Sequence, residues 1–376
     1  MIALVSYEIA ERRKVRFALK KKLFLICDDL NPGGAERQSL LLAKKLTENW
    51  EPILVSFSDG PLQSEYYKAG IPVHYIERSA RFDFLSPLKK LTYLIKSHKP
   101  DLLHSWGCMS TIASSLVARK NKIPHIASTV RMGMVPKNAK LLSKLASRLG
   151  TYSVANSYAG LSAWNIPNRK GRVVYNGFDW NRTRSCSSDS MLSDKEYRIL
   201  MVASMSSLKD WQAFLSTAQY ISSKDKSISF HGFGDGLCRE PILSSARDLL
   251  KSGTIFLPGR TSNPISECQN ASVGVLFSTF GEGISNSIME YMACGLPVIC
   301  SNSGGNPELV TDGITGFLVD PDNNPEQIAN RILWLKDNPE KSRAMGLAGK
   351  ERIKNRFSIE QMVQGYLDLY NQALEA

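Results

Sequence analysis

The sequence predicts an α/β protein made of two doubly wound parallel-sheet domains that face a common cleft. Three observations lead there. Short apolar runs alternate with helical patterns along nearly the whole chain, the pattern of strands joined by crossover helices. Residues 181–194 are rich in Ser, Arg and Asp and poor in apolar residues, and a second series of runs begins after them. The 376 residues, 43% of them hydrophobic, can fill two cores, and a single domain of that length would be unusually large.

In chain order, residues 1–21 are basic and amphipathic and precede the first convincing strand, so they form an N-terminal extension of unassigned structure. Their charges follow the short apolar start, the wrong order for a secretory signal. Leu23-Phe-Leu-Ile-Cys27 reads as a buried strand, 28–34 as a loop and 35–46 as an amphipathic helix. Further strands are expected at 52–57, 73–76, 101–106, 124–129, 153–156 and 173–175, completing a first domain over 22–180. Beyond a linker at 181–196, runs at 198–203, 228–231, 255–257, 273–277, 297–300 and 316–319 make a second domain over 197–357. A last helical pattern within 358–376 is expected to pack back across the linker onto the first domain.

No window approaches about eighteen uninterrupted apolar residues. Seven cysteines without a Cys-x-x-Cys pair argue against a disulfide framework and a zinc cluster, and the five histidines lack ligand spacing, so no metal is expected. A reducing cytoplasm is the simplest location. The net charge is +12, and residues 102–178 contain no acid while carrying Arg119, Lys120, Lys122, Arg131, Lys137, Lys140, Lys144, Arg148, Arg169, Lys170 and Arg172. An electropositive face on the first domain follows, with an anionic lipid surface or a lipid diphosphate as the fitting partner, at about 1 kcal/mol per basic residue near such a surface. A solvated face with no partner stays open. Nucleic acid is disfavoured because no zinc finger, aromatic RNA-binding signature or long basic tail accompanies the charge.

The chemistry concentrates in Phe280-Gly-Glu-Gly-Ile-Ser-Asn-Ser-Ile-Met-Glu290. Glu282 lies in the loop after an apolar strand, and Glu290 lies about two helical turns on, roughly 12 Å away. Between them a helix N-terminus offers free N–H groups and a positive dipole end to a phosphate, so the carboxylates can hold hydroxyl-bearing groups on either side of a diphosphate. For Glu290 a second reading stays open, a capping box on Ser287. Asn31-Pro-Gly-Gly-Ala-Glu36 opens the first helix and lets backbone approach a ligand at Gly33 and Gly34, or is a plain turn. It lacks the dinucleotide spacing. Lys209 follows the strand at 198–203, where it can neutralise a leaving diphosphate or be a surface lysine. Asp320-Pro-Asp322 is a turn, and no nucleophile elbow is present.

The segment 278–316, with Glu282 and Glu290 in an E-x7-E arrangement, Ala293-Cys-Gly-Leu-Pro297, Gly304-Gly-Asn-Pro-Glu308 and Asp312-Gly-Ile-Thr-Gly316, resembles the retaining GT-B glycosyltransferases of family GT4. Gly33-Gly-Ala-Glu-Arg37, Ala155-Asn-Ser157, Val173-Val-Tyr-Asn-Gly-Phe-Asp179, Lys209-Asp210 and Gly232-Phe-Gly-Asp-Gly236 extend the likeness over nearly the whole chain. The resemblance implies two Rossmann-like domains and a metal-independent transfer without a cofactor. It implies that Glu282 contacts the donor sugar, that backbone amides of Gly283, Ile284 and Ser285 and the Lys209 ammonium meet the diphosphate, that Glu290 holds the ribose, that Arg260 lies near the base, and that Gly33 and Gly34 contribute from the facing domain. Glu282 and Lys209 are the catalytic pair.

Two positions depart from the family pattern. Ser204 stands where an arginine is usual, and Trp106 where many members carry a histidine. A polysaccharide-building subset shares the tryptophan, the lysine-aspartate pair and an arginine like Arg131. Trp106 is therefore a candidate stacking surface for sugar and Arg131 a contact to an anionic group, both on the acceptor side, with His104 structural. The expected activity is transfer of a hexose or N-acetylhexosamine from a nucleotide diphosphate sugar, with UDP as the nucleotide, to a growing glycan or polyprenyl-diphosphate-linked sugar at the inner membrane face. A sugar-nucleotide epimerase, a catalytically silent sugar-nucleotide-binding subunit and an oxidoreductase are the rivals.

Overall fold

The computed structural model describes residues 20–46, 50–77, 85–130, 141, 145, 148–183, 197–279, 282–320 and 325–376. The extension before residue 20, Arg131, linker residues 184–196 and the turn at 321–324 lie outside them.

Leu23 to Cys27 are fully buried, so this strand reads as a continuous apolar run and not as an alternation: helices cover both faces of its sheet. The first domain holds β1 (Lys21–Cys27), β2 (Trp50–Ser56), β3 (Val73–Tyr75), β4 (Leu102–Trp106), β5 (His125–Val130), β6 (Tyr152–Ala155) and β7 (Gly171–Val173) in the order β3-β2-β1-β4-β5-β6-β7. All pairings are parallel. Strand β7 ends where the sequence placed its start, because the chain turns off at Val174 towards the second domain, where Tyr175 packs on Phe357 at 5.1 Å. Helices α1 (Gly34–Lys45), α2 (Gln63–Lys68), α3 (Leu85–His98), α4 (Cys108–Asn121) and α5 (Tyr158–Ala163) belong to this half. Asp28, just past β1, accepts from the amides of Cys108, Met109 and Ser110 and so neutralises the start of α4 from the neighbouring strand.

The second domain repeats the plan with β8 (Tyr197–Val202), β9 (Ile228–Phe233), β10 (Ile255–Gly259), β11 (Val273–Leu276), β12 (Val298–Ser301) and β13 (Gly316–Val319), ordered β10-β9-β8-β11-β12-β13. Its helices are α6 (Trp211–Ser222), α7 (Arg239–Ser245), α8 (Arg247–Lys251), α9 (Pro264–Gln269), α10 (Asn286–Ala293), α11 (Asn306–Leu309), α12 (Pro325–Asp337) and α13 (Pro339–Arg356). The last helix, α14 (Ile359–Glu375), starts at its cap Ser358, whose hydroxyl accepts from the Gln361 amide. It carries Ile359, Met362, Tyr366, Leu369, Tyr370 and Ala373 at helical spacing, and this stripe buries itself with Leu42, Trp50 and Leu102 of the first domain.

A 3₁₀ turn, Trp180–Thr183, follows the first domain and is docked on the second. The Phe178 amide donates to the Phe357 carbonyl at 2.8 Å, and the Phe178 ring enters the second core with Trp180 edge-on to it at 5.2 Å. In each sheet the strand order reverses between two neighbours, β1/β4 and β8/β11. The crevices outside their carboxyl ends are where doubly wound sheets take ligands.

Candidate active site

Those two crevices face each other across a cavity of about 390 Å³ lined by Gly34, Trp106, Ser204, Lys209, Glu282 and Tyr366, among others. Its floor on the second-domain side is the start of α10. The helix N-cap is Ser285, whose Oγ accepts from the Ile288 amide, and Gly283, Ile284 and Ser285 all line the cavity. A helix of this length begins with free N–H groups, which favour an anion.

Lys209 and Glu282 meet as an ion pair, with little of either side chain exposed. The backbone explains the meeting. Lys209 forms an antiparallel bridge with Ser278, the Asp210 amide donates to the Phe277 carbonyl at 2.9 Å, and the Thr279 amide donates to the Leu208 carbonyl, so the loops after β8 and β11 are stitched together. Ser278 Oγ donates to Glu282 Oε1 at 2.7 Å and fixes the carboxylate. Asp210 caps α6 by accepting from Ala213, which points a second helix start towards the same place.

Across the cleft, Asn156 and Asn176 reach the turn before α10. Both side-chain amides donate to the Ile284 carbonyl, at 3.5 and 3.3 Å, and Asn176 also donates to Asn286 Oδ1 at 3.2 Å. Gly283 is glycine for this reason: a Cβ there would collide with the Asn156 side chain. Gly34 faces Asn286 with no room to spare.

The other expected residues are placed less uniformly. Gly33 does not line the cavity; a side chain there would strike the Glu36 carboxylate. Arg260 is largely exposed, pairs with Asp235 at 3.6 Å and stays off the cavity, because it leaves β10, the edge strand of its sheet, and not a switch-point strand. Glu290 is 4% exposed, does not line the cavity and pairs with Arg182 at 2.7 Å. The capping-box reading of Glu290 is overturned: Ser285, not Ser287, is the cap, and Ser287 Oγ instead donates to the Val202 carbonyl at 2.7 Å. Trp106 borders the cavity, its ring 4.6 Å from His104 and 5.6 Å from Tyr366. His104 is fully buried between Tyr370 and Ser128. Ser204 lines the cavity with its hydroxyl turned to Ser206, which leaves Lys209 as the only lining cation among the described residues.

Sequence reasoning did not single out Asn156, Asn176, Ser128, Tyr366, Arg182 or Glu308. The two asparagines carried a signal, each a polar residue just past a short strand. Glu308 spans the domains: its carboxylate accepts from the amides of Tyr158 and Ala159, both at 3.0 Å, and from the Tyr175 hydroxyl at 3.1 Å. Burial, reinforced by that carboxylate, pushes the Tyr175 phenol up to about 12, so it remains a donor at physiological pH. Glu308→Ala is expected to favour an open cleft, read as a larger radius of gyration in solution scattering and a donor KM raised about ten-fold.

Residues 32–182 match the family described as Glycosyltransferase Family 4, and residues 187–352 match Glycosyl transferases group 1. An uncharacterised glycosyltransferase of Methanocaldococcus jannaschii is 25% identical over 282 residues, 69% of this chain and 71% of its own. A poly(ribitol-phosphate) α-N-acetylglucosaminyltransferase of Staphylococcus aureus is 26% identical over 158 residues, 42% of this chain and 32% of that protein. Among solved structures, HepE of Anabaena in complex with UDP and glucose aligns with a TM-score of 0.83 at 18% identity, covering 93% of this chain and 99% of that one. At that identity the likeness is one of fold.

Proposed function

We infer, since this chain belongs to the GT4 glycosyltransferases of GT-B fold, that it moves a hexose or N-acetylhexosamine from UDP to a growing, lipid-linked glycan with retention at the anomeric carbon. The observation that carries this reading is the meeting of Lys209 and Glu282 beside the start of α10, in the crevice between facing switch points. The two side chains neutralise each other. A donor diphosphate competes for the ammonium, seats its oxygens on Lys209 and the amides of Gly283 to Ser285, and frees the Glu282 carboxylate for sugar hydroxyls.

Negative charge grows on the diphosphate as the glycosidic bond breaks, so a fixed cation and a helix start lower the barrier more than they tighten binding. These groups do the work of a divalent metal, and no cofactor enters. Glu290 takes the ribose. Trp106 and Tyr366 form the aromatic side of the cavity, suited to the apolar face of an acceptor sugar; Arg131, outside the described residues, is the candidate contact to an anionic group of the acceptor.

The Staphylococcus aureus relative, named for N-acetylglucosaminyl transfer to poly(ribitol phosphate), and the UDP and glucose of the Anabaena structure support the donor and acceptor classes. No helix among the described residues is long and apolar enough to cross a membrane. Arg119, Lys120, Lys122 and Arg148 are exposed and precede β5 or β6, at the sheet edge away from the cleft, while Lys170 is tied to the Arg148 and Gly150 carbonyls. The exposed set supports peripheral binding to anionic lipid. Ser204 favours a second reading, a catalytically silent subunit that binds the donor without turning it over.

Thermal-shift screening against nucleotide sugars tests the donor: at a hundred-fold excess over Kd a ligand adds about 2.7 kcal/mol of stability. A shift with UDP sugars and transfer to a lipid-linked acceptor on anionic vesicles are the expected results. No shift with any UDP compound removes the UDP assignment, failure to sediment with such vesicles at low salt removes the membrane half, and a shift without turnover favours the silent subunit.

A further inference from the structure

We propose that Arg182 is a positioning residue for the nucleotide: it holds Glu290 in the orientation that presents one carboxylate oxygen to the ribose. The proposal rests on the reading of Glu290 as the ribose contact.

The two residues are 108 positions apart and lie on separately anchored elements. Arg182 belongs to the 3₁₀ turn Trp180–Thr183, whose backbone is closed by the Arg182 amide donating to the Asp179 carbonyl at 3.1 Å and by Thr183 Oγ1 donating to the Trp180 carbonyl at 2.9 Å. The turn is seated on the second core through Phe178 and Trp180, so the guanidinium arrives from a fixed base. Glu290 sits on α10, which is tied to the end of β8 by Ser287 and by the Tyr291 hydroxyl, the latter accepting from the Val202 amide at 2.6 Å. Both backbones are therefore set before any ligand binds, and the pair closes between them.

The division of the carboxylate follows. Arg182 Nη2 takes Oε1 at 2.7 Å, and Oε2 has no partner among the described residues. A carboxylate with 5% of its side-chain surface exposed calls for a counter-charge, and Arg182 provides it while leaving acceptor capacity on the second oxygen. Ribose offers what that oxygen can accept, adjacent hydroxyl donors. A guanidinium suits the task because its planar fork fixes direction, which the single point charge of a lysine does not. The side chain of Arg182 is 34% exposed and that of Glu290 5%, so the pair opens to solvent on its Arg182 side, the side from which a nucleoside would approach.

The test is calorimetric binding of UDP and 2′-deoxy-UDP to the full chain and to Arg182→Lys, Arg182→Met and Glu290→Gln, with thermal melting to confirm that each is folded. The wild type is expected to prefer UDP by about ten-fold or more. Glu290→Gln should cut that preference to about three-fold or less, which tests the ribose reading itself. Both Arg182 variants should lose preference to the same degree, through weaker UDP binding with 2′-deoxy-UDP changed less than about two-fold. If Glu290→Gln erases the preference while the Arg182 variants keep it, the ribose contact stands and the role of Arg182 falls. Equal weakening of both ligands, or tighter UDP binding in the Arg182 variants, also overturns the proposal, the first showing a merely structural role and the second a guanidinium that competes with ribose. A preference unchanged in Glu290→Gln removes both readings together.

Discussion

Lys209→Ala is expected to lower kcat by about 10²- to 10³-fold while the donor KM moves by less than about ten-fold. The asymmetry follows from when the charge appears. On the proposed reading the diphosphate of the bound donor shares its charge with the sugar bond and is also met by the amides of Gly283 to Ser285, which line the cavity at the start of α10. In the transition state the departing oxygen gains charge, and Lys209 is the only lining cation among the described residues, Ser204 having no charge to give. Glu282→Ala should also abolish most transfer, but the two losses should not add. The residues are paired to each other, so removing one leaves the other without this partner and misdirected. Steady-state kinetics of the two single variants and the double variant check this. Fully additive losses would show that the pair does not act as a unit. Ser204→Arg placed on Lys209→Ala should recover part of kcat, since Ser204 faces the same cavity from the same strand end.

How much of this was legible in the sequence depends on how local the cause is. The buried strands could be read because an interior strand must be apolar on both faces: Leu23 to Cys27 and Val273 to Leu276 announce themselves without knowledge of their neighbours. The start of α10 could be read because glycine, serine and a following apolar run act within a single turn. Its cap was misassigned by two residues, for Ser285 and Ser287 both suit a cap and only the pull of Ser287 towards Val202 on β8 decides between them. Arg182, Tyr366 and Glu308 were illegible for one shared reason. Each acts on a residue more than a hundred positions away, Arg182 on Glu290, Glu308 on Tyr158, and Tyr366 on the ring of Trp106, through crossings that no periodicity encodes. Arg260 errs the other way. Its position after a strand end was right, but that strand is β10, at the edge of the sheet and away from the reversal in strand order.

The protein is expected to lose stability steeply as pH falls below about 6.5, and the cause lies beneath the Trp106 side of the cavity. His104 and His125 are buried, and burial holds the His104 imidazole well below its ordinary range and brings His125 down to about 3. Hydrogen bonding fits neutral rings. The Tyr370 hydroxyl meets only His104 Nδ1 among the described residues, at 2.6 Å, so Tyr370 donates there and the Nε2 proton of His104 goes to Ser128 Oγ at 2.7 Å. His125 Nε2 meets Ser105 Oγ at 2.9 Å. Both pKa values are depressed on folding, so below about 6.5 the unfolded chain binds protons that the folded one refuses. The stabilisation is complete above the unfolded pKa and drains away as pH falls, at about 1.4 kcal/mol per histidine per pH unit, until the folded values are reached. His125 alone gives about 2 to 3 kcal/mol between pH 6.5 and 4.5, and His104 adds to it in the same direction, a large share of the stability of an ordinary domain. Denaturant titrations at half-unit intervals would show the slope, and His125→Gln should flatten it by up to about 1.4 kcal/mol per pH unit in that window by deleting the proton that His125 refuses. A slope unchanged by that substitution would place the acid sensitivity elsewhere.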